Sequence, residues 1–321
     1  MSKLFHIVIN PVGASGQTNK IFQKVEPYLI KNNIKYKVHT STKDKGITSI
    51  CEELTSTNEE VYIILIGGDG SLNEAVNGIV NFDKTRLGFI PCGSGNDFAR
   101  SLNLPKNLED IVEVLFEGEI QRKVDVGEIT LHNYSDDFRE LPPLTNNKII
   151  RRFNVSAGIG FDAEICQNVH ISKLKPFLNK IHLGKLSYIL VAIKVIFTAK
   201  MIPAKITLDN KTIECDKCLF AVGMNTAYEG GGFKFCPNAS GEDNLLDICY
   251  VNNLAKINFF KIFPYAYSGN HIKFKGVYTS TAHNIDIQTE TPMWVHTDGE
   301  VYCKSTHITM HLLDDKLNLL Q

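Results

Sequence analysis

Val61-Tyr62-Ile63-Ile64-Leu65-Ile66-Gly67-Gly68-Asp69-Gly70-Ser71-Leu72-Asn73-Glu74-Ala75-Val76-Asn77-Gly78 is the stretch on which the reading of the fold turns. Its six leading apolar residues do not alternate with polar ones, the pattern of a parallel strand covered on both faces. Three glycines then interrupt the run, and a helix is expected over Leu72–Val80, opening at Ser71. Glycines let a chain turn sharply and bring backbone N–H groups close to a bound anion. A helix N-terminus adds N–H groups outside the helical ladder and the positive end of a dipole, a seat for phosphate. Asp69 is an acid inside this anion-friendly loop, placed to hold a metal–water cluster or a proton. The stretch predicts nucleotide binding and phosphoryl transfer.

Outward from it, strands and helices alternate. Leu4–Ile9 is a short apolar run, followed by the loop Asn10-Pro11-Val12-Gly13-Ala14-Ser15-Gly16. Thr18–Lys31 reads as a helix with Ile21, Phe22, Val25, Leu29 and Ile30 on one face. A second strand is expected at Ile34–His39, a helix near Ile47–Ser56, and a fourth strand at Arg86–Pro91. This alternation predicts an α/β fold with a doubly wound, mostly parallel sheet, whose ligands bind outside the carboxyl ends of the strands. After Lys123 strand-like segments dominate, with one helical insertion at Leu183–Thr198, so an antiparallel β-rich second domain is expected. The expected division is 1–123 for the nucleotide domain and 124–304 for the second, with 305–321 a candidate to return to the first. Asn133–Asn147, with its Ser, Asp, Asn and Pro, reads as an exposed hairpin tip or insertion.

Pro91-Cys92-Gly93-Ser94-Gly95-Asn96-Asp97-Phe98-Ala99-Arg100 is a second loop of the same kind. Two glycines flank a hydroxyl, and Asn-Asp then caps a helix. Ser94 suits a phosphate or ribose, and Asn96 suits a base or the ordering of the loop. Alone this would read as a plain helix cap. Beside the loop after Ile66, on an adjacent strand, it lines a common crevice. No G-x-x-x-x-G-K-[ST] occurs, the first strand–helix turn lacks G-x-G-x-x-G, and protein-kinase signatures are missing.

The 321 residues carry 34 basic and 35 acidic side chains, a balance with no nucleic-acid footprint. At 43% hydrophobic and 21% charged, the composition is that of a globular protein. Met1–Asn10 does not read as a secretory signal, and Leu186–Ile202 is interrupted by Lys194 and Lys200, so no membrane-spanning helix is expected. Eight cysteines are scattered beside apolar residues, as core thiols are. Cys215-Asp216-Lys217-Cys218 lacks the second ligand pair a structural zinc needs.

Taken in order, these motifs resemble the diacylglycerol kinase and sphingosine kinase type of lipid kinase, in its bacterial form. The resemblance covers nearly the whole chain: Asn10-Pro11, the two glycine loops, Val124-Asp125-Val126-Gly127, and Asn154 through Asp162. It continues through Gly230-Gly231-Gly232-Phe233 with Pro237-Asn238-Ala239, and ends at Asp298-Gly299-Glu300. It implies ATP held by Asn10, Pro11, Val12, Gly13 and Ala14, by Thr42 (or Thr40), by Gly68, Asp69, Gly70, Ser71, Leu72, Asn73 and Glu74, and by Ser94. It implies Glu300 as general base on a lipid hydroxyl, with Asp69 organising Mg²⁺ and its waters and a rival for the base. Asp298-Gly299 reads independently as a hairpin turn, which would present that acid. The family's acidic loop corresponds to Asn238–Asp247, where a structural Mg²⁺ would sit on Ser240, Asp243 and Leu245. Asn244 stands where the family often has Gly, and Asn tolerates the left-handed turn.

The function expected is ATP- and Mg²⁺-dependent phosphorylation of a lipid's primary hydroxyl, diacylglycerol being one such lipid. The place expected is cytoplasmic, peripheral at the inner membrane surface, where the basic helix Leu183–Met201 is a candidate membrane contact. A homodimer is an expectation of the resemblance. The rivals are an NAD kinase, which shares the Gly-Gly-Asp-Gly loop, and a catalytically silent nucleotide or lipid sensor.

Overall fold

The computed structural model describes residues 3–117, 121–135, 144–171 and 194–321. It divides into two compact units, Met1–Val126 with Leu313–Gln321, and Gly127–Leu312.

The first unit alternates strand and helix: β1 (Leu4–Ile9), α1 (Thr18–Lys31), β2 (Lys35–Thr40), α2 (Ile47–Thr55), β3 (Val61–Gly67), α3 (Asp69–Gly78), β4 (Thr85–Pro91), α4 (Asp97–Ser101), α5 (Leu108–Glu117) and β5 (Gln121–Val124). The sheet runs β2-β1-β3-β4, then the chain's last strand (Leu317–Leu320), then β5. Every neighbour pair is parallel except that last strand with β5. All seven residues of β3 are buried, because helices cover both faces of a parallel sheet. The helix α1 packs Val25 and Leu29 into this core. Ile30, expected on the same face, is 64% exposed: one residue on from Leu29, it lies about 100° around the helix.

Two other expectations shift. The helix α3 begins at Asp69, before the expected Ser71, because Gly68 takes an extended cap conformation (φ −101°, ψ −175°). The Leu72 N–H already bonds the Gly68 carbonyl at 3.0 Å. Of the segment 305–321, only Leu313–Gln321 lies in the first unit, and the rest continues a strand of the second. Asn318 holds the last strand in place by donating Nδ2 to the Phe82 carbonyl at 2.7 Å.

The second unit is antiparallel. Its elements are β6 (Gly127–Leu131), β7 (Leu144–Thr145), β8 (Lys148–Phe153), β9 (Ser156–Gly160), α6 (Phe161–Ile171), β10 (Ile202–Leu208), β11 (Lys211–Met224), β12 (Tyr228–Glu229), β13 (Phe233–Lys234) and β14 (Leu246–Asn252). They continue with α7 (Lys256–Ile262), β15 (Val277–Ala282), β16 (Asn284–Thr297) and β17 (Glu300–Leu312); β18 is the last strand already placed in the first unit. The main sheet runs β15-β14-β11-β10-β16-β17-β6-β8-β7. The long strands β11 and β16 hold two short ones end to end between them. Their outer halves pair with β10, and their inner halves pair with β9. Register shifts in β16 after Gln288 and after Trp294 bend it between these partners. Asn146 and Asn147, both at positive φ, make the two-residue turn from β7 to β8.

Residues 194–198 are helical. The remainder of the expected helix Leu183–Thr198, and 136–143 of the expected insertion, lie outside the described residues. All eight cysteines are free thiols. Cys215 and Cys218 sit buried on β11, and burial pushes the Cys215 thiol up to about 11, the behaviour of a core cysteine. Among the described residues no helix is long and apolar enough to cross a membrane.

Candidate active site

Three loops gather at the carboxyl ends of β1, β3 and β4. Asn10 shapes the first from within: its Oδ1 accepts the N–H groups of Val12 and Gly13, each at 3.2 Å. Its carbonyl accepts the Thr18 hydroxyl at 2.6 Å, which ties the loop to the start of α1. Pro11 is half-buried, Val12 is exposed, and Ala14 lies in a short 3-10 turn, Gly13–Gly16. Thr42 sits beyond β2 in an exposed turn closed by its own N–H to the Lys45 carbonyl at 2.9 Å, with the Lys45 N–H returning to Thr42 Oγ1 at 3.1 Å.

The second and third loops touch backbone to backbone. A Cβ on Gly67 would lie 2.5 Å from Ser71 Cβ, and a Cβ on Gly93 would lie 2.9 Å from Gly68 Cα. Only glycine fits at either place. Asp69 then binds the loops together: its Oδ2 accepts the Asp97 N–H at 3.2 Å and its Oδ1 the Phe98 N–H at 3.3 Å. These are the first amides of α4, so Asp69 caps a helix 28 residues away. Asn96 enters that helix at φ 52°, and its Oδ1 is buried with no donor on it. Arg100 closes the loop from below, pairing with Asp97 at 2.6 Å and donating to the Gly95 carbonyl at 3.0 Å.

The predicted binding residues therefore divide. Gly68, Asp69, Gly70 and Glu74 are half-buried and Ser94 is exposed. Ser71, Leu72 and Asn73 are buried; Leu72 is 1% exposed and belongs to the core. Its side chain anchors α3, and only its backbone can face a ligand.

In the second unit, Asp298 (φ 49°) and Gly299 (φ 84°) form the two-residue turn from β16 to β17, with Thr297 opposite Glu300. The Asp298 carboxylate accepts three backbone amides: Asn154 at 2.9 Å, Val155 at 2.8 Å and Ser156 at 3.0 Å. Its own N–H donates to the Ser156 carbonyl at 2.8 Å. The turn is thus latched onto the segment before β9, and it presents Glu300, half-buried, as the first residue of β17. Behind the turn lies a buried cluster that sequence reading did not single out. His296 Nε2 stands 2.8 Å from Asp162 Oδ2 and 3.5 Å from Glu229 Oε1. Burial opposes charge on this ring, and the Glu229 and Asp162 carboxylates pull the other way and raise its pKa from the ordinary imidazole value.

The acidic loop turns at Asn244 in the left-handed region (φ 62°), the conformation expected of it. Asp243 Oδ1 accepts the Leu245 N–H at 3.1 Å, and Asp243 is exposed while Ser240 and Leu245 are half-buried.

Compared with known proteins, residues 5–129 match the family model of the diacylglycerol kinase catalytic domain. Residues 155–320 match that of the YegS C-terminal NAD kinase beta sandwich-like domain. YtlR of Bacillus subtilis (strain 168) is 29% identical over 304 residues, covering 94% of this chain and 94% of its own. The diacylglycerol kinase of Staphylococcus haemolyticus (strain JCSC1435) is 28% identical over 306 residues, covering 94% of this chain and 83% of its own. A crystal structure of a diacylglycerol kinase from Bacillus anthracis str. Sterne shares the fold, with a TM-score of 0.67 at 22% identity over 99% of this chain and 96% of its own. The catalytic-domain family model and relatives 28–29% identical over 94% of the chain support a kinase, a phosphotransferase. The chain belongs to the family of bacterial diacylglycerol kinase-type lipid kinases.

Proposed function

We propose that this protein transfers the γ-phosphoryl group of ATP to the primary hydroxyl of a lipid, diacylglycerol being the first candidate. The observation that carries the reading is the junction of the two glycine loops through Asp69. It builds a rigid, glycine-lined floor at the positive end of α3, suited to a polyphosphate. Asn96 orders the second glycine loop from within, its Oδ1 buried where a Cβ on Gly93 would lie 3.0 Å away. Asn10–Ala14, Thr42, the Gly68–Glu74 backbone and Ser94 would complete the ATP site.

Glu300 would take the proton of the lipid hydroxyl. The hydroxyl oxygen forms the new bond to γ-phosphorus as the bond to the β-phosphate oxygen breaks, and ADP leaves. Asp69, whose two carboxylate oxygens each accept an amide, is the floor's clamp and would also orient metal-bound water. The acidic loop fits a hard cation: Asp243 carboxylate, Ser240 and the Leu245 carbonyl are oxygen donors on a turn that Asn244 closes. Bound Mg²⁺ would supply neutralisation of phosphate charge and, at the acidic loop, rigidity.

A place at a membrane surface is supported by exposed apolar side chains among lysines in the second unit. Phe197 and Ile257 are each 66% exposed, Tyr265 is 49% and Tyr267 is 45%. Lys194, Lys200 and Lys261 are exposed nearby in sequence.

The test is transfer from [γ-³²P]ATP to a panel of lipids in mixed micelles, for wild type beside Glu300→Gln and Asp69→Asn. Label on one lipid, lost in both variants, is the expected result. Label on NAD instead would make the chain an NAD kinase, the name its second family model also carries. Tight ATP binding with no transfer would make it a sensor.

A further inference from the structure

His296 is fully buried, yet it stands two residues before the turn that carries Glu300. The Gly299 N–H donates to His296 Nδ1 at 3.2 Å, so that nitrogen is an acceptor and carries no proton. The opposite nitrogen, Nε2, then carries the ring proton and donates it to Asp162 Oδ2 at 2.8 Å. Asp162 is delivered by the first turn of α6, and Gly158 leaves room for it: a Cβ there would lie 2.8 Å from Asp162 Oδ2. Gly158 is also the cross-strand partner of His296 in the β9–β16 pairing. Glu229, from β12, adds the second carboxylate at 3.5 Å.

Two roles compete for this cluster. Its three ligand atoms lie within 4.8 Å of one another, a spacing that a divalent cation can bridge. A metal on Nε2 would send the ring proton to Nδ1, directly against the Gly299 N–H. The other role uses every contact as it stands. The two carboxylates hold the ring proton on Nε2, the side they face. Nδ1 remains an acceptor for the turn.

We propose that His296 is a positioning residue for Glu300, acting through the Gly299 N–H and itself oriented by Asp162 and Glu229. The inference rests on the reading of Glu300 as the general base. Asp298 latches the turn to residues 154–156, and His296 latches its next peptide to α6 and β12. The backbone entering Glu300 is thereby fixed at two successive residues. Such fixing matters because displacement of a reacting group by about 1 Å can cost about a hundredfold in rate.

Two substitutions separate the two ends of the ring. His296→Asn places Oδ1 near the position of Nδ1 and keeps an acceptor for Gly299. His296→Gln reaches toward Asp162 and Glu229 but removes that acceptor. We expect kcat to fall roughly ten- to a hundredfold in His296→Gln, with KM for ATP unchanged, and His296→Asn to recover most of the loss. Hydrogen exchange of the Gly299 amide, followed by NMR, gives a readout independent of turnover: faster in the Gln variant, slow in the Asn variant. Equal kcat in the two variants, beside an inactive Glu300→Gln, overturns the inference alone. Full activity of Glu300→Gln overturns the base reading instead. A melting temperature raised by Zn²⁺ in wild type and not in His296→Asn would also overturn the inference, by putting a metal on Nε2.

Discussion

Asp69 grips the N-terminus of the helix that follows the next strand, with one carboxylate oxygen on the Asp97 amide and the other on the Phe98 amide. The same residue opens α3, so a single side chain sets the spacing of two helix starts. Charge-assisted bonds of this kind contribute about 1.5–3 kcal/mol each. Asp69→Ala should release α4 and the Gly93–Asn96 loop together. We expect nucleotide affinity to fall at least tenfold and exchange of the Asp97 and Phe98 amides to quicken. Unchanged amide exchange would show that the clamp is unimportant.

Gly93 tests the floor by volume, with no change of charge. A methyl group at Gly93 would meet Gly68 Cα at 2.9 Å and Asn96 Oδ1 at 3.0 Å, so Gly93→Ala must push the two loops apart. Because one contact is backbone, no side-chain rotation relieves it. Binding of a fluorescent ATP analogue should weaken by roughly tenfold or more, about 1.4 kcal/mol. The emission of Trp294, the single tryptophan, lies in the second unit and should not change. Wild-type nucleotide affinity in this variant would sink the idea that the loops' close approach builds the site.

Much of this was legible in the chain itself, and the reasons are local. The uninterrupted apolar run before Gly67 specifies a strand covered on both faces, and the glycines after it specify the turn. Asn244 was readable as a left-handed residue because the tolerance is intrinsic to Asn. Asp298-Gly299 was readable as a hairpin because two positive φ values have few other sources. What escaped depends on long-range pairing. Nothing near Asp69 points to amides 28 and 29 residues on, and nothing near Asp298 points to amides 142 to 144 residues back. His296 read as an ordinary strand residue; its meaning appears only when α6 and β12 bring carboxylates to it. Ile30 and the start of α3 were misplaced by a residue or two, the usual uncertainty at helix ends and face edges.

Asp298 should prove as costly to remove as a core side chain. Its carboxylate accepts three backbone amides at 2.8 to 3.0 Å, and all three donors belong to the segment leading into β9. Asp298→Asn replaces one accepting oxygen with a donor that faces an N–H. At about 1.5–3 kcal/mol for a lost charge-assisted bond, the second unit's denaturation midpoint should drop clearly. Phosphoryl transfer should fall with it, since the turn carries Glu300. Trp294 fluorescence in urea reads the first effect and the lipid-kinase assay the second. A variant with wild-type stability would remove the latch from the account.

The exposed apolar patch of the second unit makes the membrane reading measurable. Phe197 and Phe260 pair at 5.4 Å between ring centroids, and Lys256 Nζ donates to the Phe197 carbonyl at 2.9 Å, so residues of this solvent-facing edge contact one another. Ile257 stands out from α7, 66% exposed. An apolar side chain so exposed gains about 25 cal/mol per Å² on entering a lipid interface, and each nearby lysine adds about 1 kcal/mol on an anionic bilayer. Co-sedimentation with vesicles containing phosphatidylglycerol should therefore be salt-sensitive, and Phe197→Glu with Ile257→Glu should weaken it at least tenfold. Activity toward a short-chain lipid dispersed without a bilayer should survive the double substitution, because neither residue belongs to the glycine loops or the Glu300 turn. Equal sedimentation of wild type and variant would move the membrane contact off this edge.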